Sequence, residues 1–244
     1  MKEEILSRFQ GQYCSIDDIV TFVEELGRGS SRKTVIWHVN EFIRQGKAFR
    51  FGRGVYGFVD KAQFRPVISE AAQRACSILN EQFKYLVLTV SDSNILGHFM
   101  NLQPFSTVVV IEVKKSAIGA VIAALRKEGV DACLKKDYPM LERYVLSSQA
   151  FIIRPELSVN PKLPQENNIR MTSLEKILVD LACDEDIYGH YQGEELQTIY
   201  QNATNRYVVN YSQMLKYAEA RKKKAAVLGM LQDSDVFNKI RMLL

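Results

Sequence analysis

Residues 31–59 read SRKTVIWHVNEFIRQGKAFRFGRGVYGFV, and a change of period inside this stretch decides the architecture of the amino-terminal part. Val35, Ile36, Val39, Phe42 and Ile43 recur at helical spacing behind a serine, Ser30 or Ser31, that can cap the helix, and Gly46 ends it. From Lys47 the pattern alternates through Phe51, turns at Gly52-Arg53-Gly54 and returns as Val55-Tyr56-Gly57-Phe58-Val59, a hairpin signature. Upstream, Ser15 and Asp18 have capping-box spacing ahead of Ile16, Ile19, Val20, Val23 and Leu26, with Gly27 as the stop. Ile5, Leu6 and Phe9 mark a first helix over residues 2–9, which Gly11 stops. Three short helices followed by a hairpin is the element order of a winged helix-turn-helix.

Charge is partitioned sharply across this region. Residues 1–25 carry two basic and six acidic side chains, whereas residues 26–56 carry seven basic ones (Arg28, Arg32, Lys33, Arg44, Lys47, Arg50, Arg53) against Glu41 alone. The whole-chain charge of +4 hides this contrast, and distribution carries more information than the sum. Cations in the first turn of a helix oppose its dipole and call for compensation, which a phosphate bound to the free N–H groups there would supply. Ser31, Arg32, Lys33, Thr34, His38, Arg44, Lys47, Arg50 and Arg53 are therefore the expected DNA-binding residues. His38 is expected on the side of the helix away from the Val35–Val39 stripe, where with Asn40 or Arg44 it could reach base edges. The competing reading is a solvated basic surface on a winged helix used only for protein contacts. Trp37 and Phe42 read as core or rim packing.

Asp60 to Pro66 reads as a linker, which places the boundary between residues 1–65 and 66–244. A helix is expected at 67–82, then strands at Tyr85–Val90, Thr107–Val113, Val130–Leu134 and Phe151–Arg154, with short and long helices at 93–101 and Ala117–Lys127. Residues 155–168 read as a connection, and helices follow at about 173–183, 193–203, 210–220 and 222–242. The expected class is α+β: an amino-terminal winged helix-turn-helix, a mixed α/β part over about 67–154, and a helical part over about 170–244.

Other signals narrow the function classes. Gly52-Arg53-Gly54-Val55-Tyr56-Gly57 matches the letters of a dinucleotide fingerprint, but strand-forming residues follow where a helix should begin, so a hairpin turn and a close backbone approach explain the glycines better. Cys14, Cys76, Cys133 and Cys183 are widely spaced and, with three histidines at no ligand-like interval, suggest reduced thiols rather than a metal site. No cofactor is expected. An amphipathic first helix in place of a signal peptide, and no long apolar run, point to a cytoplasmic protein without a membrane partner. Asp92 after one strand and Glu112-Val113-Lys114 closing the next resemble the acidic pattern of PD-(D/E)xK nucleases, although a strand end carrying solvated charges explains them equally simply. Thr172 and Glu175 have capping-box spacing ahead of an apolar face of Leu174, Ile177, Leu178 and Leu181. Arg221-Lys222-Lys223-Lys224 reads as a solvated helix face, with a second phosphate contact or an acidic partner surface as alternatives.

The run from Ser31 through Asn40-Glu41-Phe42, Gly46-Lys47, Arg50 and Arg53-Gly54-Val55-Tyr56 resembles the amino-terminal winged helix of AbiEi-type antitoxins. The run Thr172-Ser173-Leu174-Glu175-Lys176-Ile177-Leu178-Val179-Asp180-Leu181 is similar to the helix opening of their second domain, with Lys176 where that family usually has Arg. The resemblance implies a non-enzymatic transcriptional regulator of a type IV toxin–antitoxin system. Such a protein binds double-stranded DNA at its own promoter, represses its own operon and counteracts a nucleotidyltransferase-like toxin. A winged-helix transcription factor without a toxin partner is the alternative, followed by a DNA nuclease.

Overall fold

The computed structural model describes residues 1–27, 29–100, 107–138, 149–232 and 237. Arg28 and, Phe237 apart, the part of the expected last helix beyond Gln232 lie outside them. The chain is a mixed α+β protein with a helical carboxyl-terminal part.

The amino-terminal unit runs α1 (Lys2–Phe9), β1 (Tyr13–Ser15), α2 (Ile16–Glu25), α3 (Arg32–Arg44), β2 (Phe49–Gly52) and β3 (Val55–Gly57). Ser15 and Asp18 form the expected capping box: the Ser15 hydroxyl accepts from the Asp18 amide at 3.1 Å, and the Asp18 carboxylate from the Ser15 amide at 2.7 Å. Ser31, not Ser30, caps α3 and accepts from the Thr34 amide. Ile5, Phe9, Ile19, Val23, Val35, Val39, Phe42, Tyr56 and Phe58 close one core between the helices and one face of the sheet. β1 is an addition to the expected elements. Three residues are too few to show a period, and Tyr13–Ser15 becomes a strand only because β3 has a free edge, to which it pairs antiparallel from Tyr13↔Gly57 to Ser15↔Val55. The sheet order is β1-β3-β2.

The glycines of the hairpin have local causes. Gly54 sits at φ 72° in the turn, a conformation that costs a side-chain-bearing residue energy. Gly57 lies under the Phe49 ring, where a Cβ would come within 2.5 Å of the ring carbons.

The rest of the chain is built on a six-stranded sheet in the order β6-β7-β5-β4-β9-β8: β4 (Leu88–Asp92), β5 (Thr107–Val113), β6 (Ala132–Leu134), β7 (Gln149–Pro155), β8 (Lys162–Glu166) and β9 (Ile169–Thr172). β5, β7 and β6 are mutually parallel, as are β4 and β9, while β4 runs antiparallel to β5. α4 (Glu70–Gln82) and α5 (Ile118–Lys127) cover the face that presents Val90, Val109, Ile111, Phe151 and Ile153. α6 (Leu174–Cys183), the short α7 (Glu185–Tyr188), α8 (Glu194–Arg206), α9 (Tyr211–Ala220) and α10 (Lys224–Leu231) cover the face that presents Val108, Val110 and Ile152. The alternation within β5 and β7 thus serves two apolar layers, as expected for central strands.

Three expectations shift. The first strand begins at Leu88 rather than Tyr85, because its ladder to β5 starts at Thr89↔Glu112 and leaves Tyr85 in the preceding turn, almost fully exposed. Residues 155–168 are not merely a connection. Asn167 and Asn168 adopt positive φ (46° and 63°) and turn β8 back onto β9, a use of consecutive asparagines that suits a tight hairpin. Pro164 and a bulge keep β8 at the sheet edge, which is why its pattern did not read as a strand. Ser173, not Thr172, caps α6; Thr172 ends β9 and donates its hydroxyl to the Val90 carbonyl at 2.8 Å.

The two parts share apolar packing. Phe49, Phe51 and Val55 belong to the same buried cluster as the carboxyl-terminal helices, and the Phe51 and Tyr211 rings lie 4.7 Å apart. Ala62 exchanges backbone hydrogen bonds with the end of α8, donating to the Arg206 carbonyl and accepting from the Val208 amide.

The Gly57 contact predicts that Gly57→Ala destabilises the protein by about 1–3 kcal/mol, the usual cost of overpacking. Urea unfolding should show it, and Phe49→Leu in the same chain should recover part of the loss. Equal midpoints for wild type and Gly57→Ala would refute the close-approach explanation.

Candidate nucleic-acid interface

Eight of the nine residues expected to meet DNA are exposed: Ser31, Arg32, Lys33, Thr34, Arg44, Lys47, Arg50 and Arg53. They lie on α3 and on the hairpin that follows it. The two elements share a buried core through Val35, Val39 and Phe42 of α3 and Tyr56 of the hairpin, and the Gly54 carbonyl in the hairpin turn accepts from the Ile16 amide at 2.8 Å, which anchors the turn to the start of α2. Arg50 stands opposite Tyr56 across the hairpin with its guanidinium 6.0 Å from that ring. Lys33, Arg44, Lys47, Arg50 and Arg53 form no ion pair among the described residues.

Arg32 differs. Its guanidinium pairs with Asp17 from the first turn of α2, and this bond, with the attraction between the two charges, lowers the Asp17 pKa. Asp17 therefore supplies the compensation that a cation at a helix amino terminus requires. Both side chains are exposed, so the pair is weak and exchangeable for another anion.

His38 is the correction. It is 8% exposed, not outward-facing, because α1 packs against that flank of α3. Lys2 of α1 pairs with Glu41 at 2.7 Å, and burial, aided by Lys2, lowers the His38 pKa and favours the neutral ring. Trp37, expected in the core or at its rim, is 53% exposed, whereas Phe42 is buried as expected.

The acidic pattern does not assemble. Asp92 pairs in register with Val109, while Glu112 pairs with Thr89, and these positions alternate between opposite faces of the sheet. Asp92 accepts from the Ser69 and Asn94 amides and so caps local backbone. Glu112 is not a solvated strand end: it is 2% exposed and enters a buried ionic cluster on the helical face. Lys114, beyond it, is exposed.

That cluster joins residues that are far apart in the sequence. Arg154, the register partner of Glu112 on β7, bonds Glu112, Asp180 and Asp184, each at 2.7 Å. Lys176, with 0% exposure, reaches Glu112 at 2.9 Å and Asp180 one turn along α6. Arg221 bonds Asp180 at 2.6 Å and Asp184 at 2.7 Å, and Tyr217 donates to Asp180 at 2.8 Å. The basic run at 221–224 is thus no helix face: Arg221 turns inward, Lys222 takes φ 57° in the turn between α9 and α10, and Lys223 and Lys224 remain near Glu185 and Glu219. Glu175, expected to help cap its own helix, instead accepts from the Asn210 amide at 2.8 Å and fastens α6 to the start of α9. The signal available in the sequence was Lys176 and Asp180 at i, i+4 on a helix that is otherwise apolar except for Glu175.

Burial alone would raise the pKa of Asp180 and Asp184. Lys176, Arg154 and Arg221 outweigh it at Asp180, and Arg154 and Arg221 do so at Asp184, so both stay below the usual carboxylate value. The unfolded chain takes up these protons near pH 4, about the free Asp value, and the folded chain only at lower pH. Their contribution to stability is therefore complete above about pH 4 and is lost as pH falls through the depressed folded values.

Glu112→Ala should cost about 3–5 kcal/mol, because it strands Arg154 and Lys176 among fewer carboxylates, while Lys114→Ala should stay within about 0.5 kcal/mol. Denaturant midpoints measure both, and a neutral Glu112→Ala would contradict the cluster. Asp184→Asn should flatten the acid limb of stability against pH, which midpoints collected through the acid range will reveal.

No curated protein matches this sequence. The model of a family of unknown function (DUF6577) matches residues 34–236, most of the chain from α3 onward, and the protein belongs to that family.

Proposed function

We propose that the protein is a DNA-binding transcriptional regulator whose amino-terminal unit is a winged helix, with α3 as the recognition helix and the β2–β3 hairpin as the wing. The order α1-β1-α2-α3-β2-β3, with β1 joining the hairpin sheet on the far side of β3, supports the winged-helix reading. The observation that carries the DNA reading is the set of exposed cations on that helix and hairpin that, Arg32 apart, have no carboxylate partner among the described residues, beside an acidic α1–α2 segment that repels phosphate and orients the approach. Lys33, Lys47, Arg50 and Arg53 are the phosphate contacts in this reading, Ser31 and Thr34 add hydroxyls at the helix amino terminus, and Arg32 exchanges Asp17 for phosphate.

The resemblance to AbiEi-type antitoxins extends the proposal to repression of the protein's own operon in the cytoplasm and neutralisation of a nucleotidyltransferase-like toxin. Of the charged residues in the second matching run, Lys176 and Asp180 are buried in the ionic cluster and Glu175 is turned onto the Asn210 amide. The change from Arg to Lys in that run is therefore an internal substitution, and a toxin would meet another surface.

The test is made in the full-length chain, because cutting after residue 65 would expose the Phe51–Tyr211 packing. Arg32→Ala, Lys33→Ala and Arg53→Ala together should weaken binding to the upstream DNA and reduce the salt slope by about 1 for each phosphate contact removed. In cells carrying a promoter reporter and a nucleotidyltransferase-like toxin gene, the triple variant should lose repression and still rescue growth. Unchanged affinity and salt dependence would sink the DNA assignment. Loss of rescue together with retained repression would reverse the assignment of roles.

A further inference from the structure

We infer that Trp37 is a DNA-contacting, specificity-determining residue that enters the major groove between Lys33 and Arg44. The inference rests on the winged-helix reading and names the side chain that would give it sequence preference.

Positions 33, 37, 40 and 44 of α3 follow the i, i+4, i+7, i+11 spacing and form one stripe along the helix. Val35, Val39 and Phe42 are buried on the opposite side, so the stripe Lys33, Trp37, Asn40, Arg44 points directly away from the core. Lys33, Asn40 and Arg44 are exposed, and Trp37 exposes 53% of its surface in the middle of them. Single exposed apolar side chains are common and need no explanation by themselves. This one is singled out by its setting. Its neighbours along the stripe are two cations and an amide that can read a base edge, the arrangement of a groove-reading helix.

The ring is also held in place before any partner arrives. The His38 ring meets it edge-on at 4.9 Å, and the Lys2 ammonium sits 5.2 Å from the ring centroid while pairing with Glu41. A side chain fixed in advance loses little freedom on binding. The charge around it chooses the partner. Lys2 stands over the indole with its charge shared by Glu41, and Lys33 and Arg44 flank it along the stripe without ion pairs among the described residues, so a second copy of this face would bring like charges together, whereas a polyanion complements it. In the groove the indole would pack against thymine methyl groups and sugar edges, flanked by Asn40 at base edges and by the two cations at the phosphates.

Trp37 is the single tryptophan of the chain, so tryptophan emission reports this residue alone. The full-length protein is titrated with a duplex from its own upstream region and with a scrambled duplex. Binding is followed by the anisotropy of a label on the DNA, and the accessibility of Trp37 by acrylamide quenching. Quenching should fall several-fold as the upstream duplex binds. Trp37→Ala should weaken that duplex on the order of tenfold, as expected for loss of one base-reading contact, and leave the scrambled duplex and the salt slope unchanged. Trp37→Phe should retain part of the preference, and circular dichroism and thermal midpoints should match the wild type for both variants. Binding with unaltered quenching, together with unaltered sequence preference in Trp37→Ala, overturns the inference and leaves the DNA reading standing. Absence of binding to either duplex removes the DNA reading and the inference with it. Protection that grows with protein concentration in the absence of DNA assigns Trp37 to a contact between copies and also overturns it.

Discussion

Arg154 stands on the central strand β7, under the carboxyl-terminal helices, with a carboxylate on each side of its guanidinium fork. A buried cation of this kind is tolerated only if it is paired and hydrogen-bonded, and here each of the three guanidinium nitrogens donates to a carboxylate, Glu112, Asp184 or Asp180. Lys176 and Arg221 then balance the three carboxylates, and Asn160 and Tyr217 occupy remaining acceptor sites. The partners come from β5, β7, α6 and the turn after α9, so none of these elements can move without unpairing a charge.

The same logic reaches the amino-terminal unit through α9. Glu175, next to Lys176, holds the amide of Asn210, which caps α9. Tyr211, the first residue of α9, receives the Phe51 ring of the hairpin, and Tyr13 packs on Phe51 from β1 at 4.8 Å. Lys61 adds a bond to the Thr204 carbonyl at 2.6 Å. The hairpin thus has one face in its own three-helix core and the other on the carboxyl-terminal body. In the proposed function, the orientation of the wing depends on a helix whose far end is locked into the buried charges.

Basic residues serve two opposite purposes in this chain. Arg154, Lys176 and Arg221 are withdrawn from water and spent on internal carboxylates. Lys33, Arg44, Lys47, Arg50 and Arg53 remain outside without ion pairs among the described residues. The second set gives the amino-terminal unit its field, and the modest net charge of +4 conceals it because the acidic α1 and α2 lie in the same unit.

Periodicity and local punctuation were legible in the residues themselves. The capping box at Ser15 and Asp18, the glycine stops at Gly27 and Gly46, the hairpin at Gly52–Gly54, and the strand over Thr107–Val113 depend on neighbours a few positions away, so their chemistry is written in short stretches. Elements whose existence depends on a distant partner were not legible. Tyr13–Ser15 is a strand because β3 offers an edge, and β9 is one because it inserts beside β4. His38 and Trp37 are adjacent in sequence, and only the packing of α1 decided which would be covered. Glu112, Lys176 and Arg221 each read as ordinary surface or helix residues, because, the Lys176–Asp180 pair apart, their charged partners are distant in the chain and the fold alone brings them within hydrogen-bonding distance.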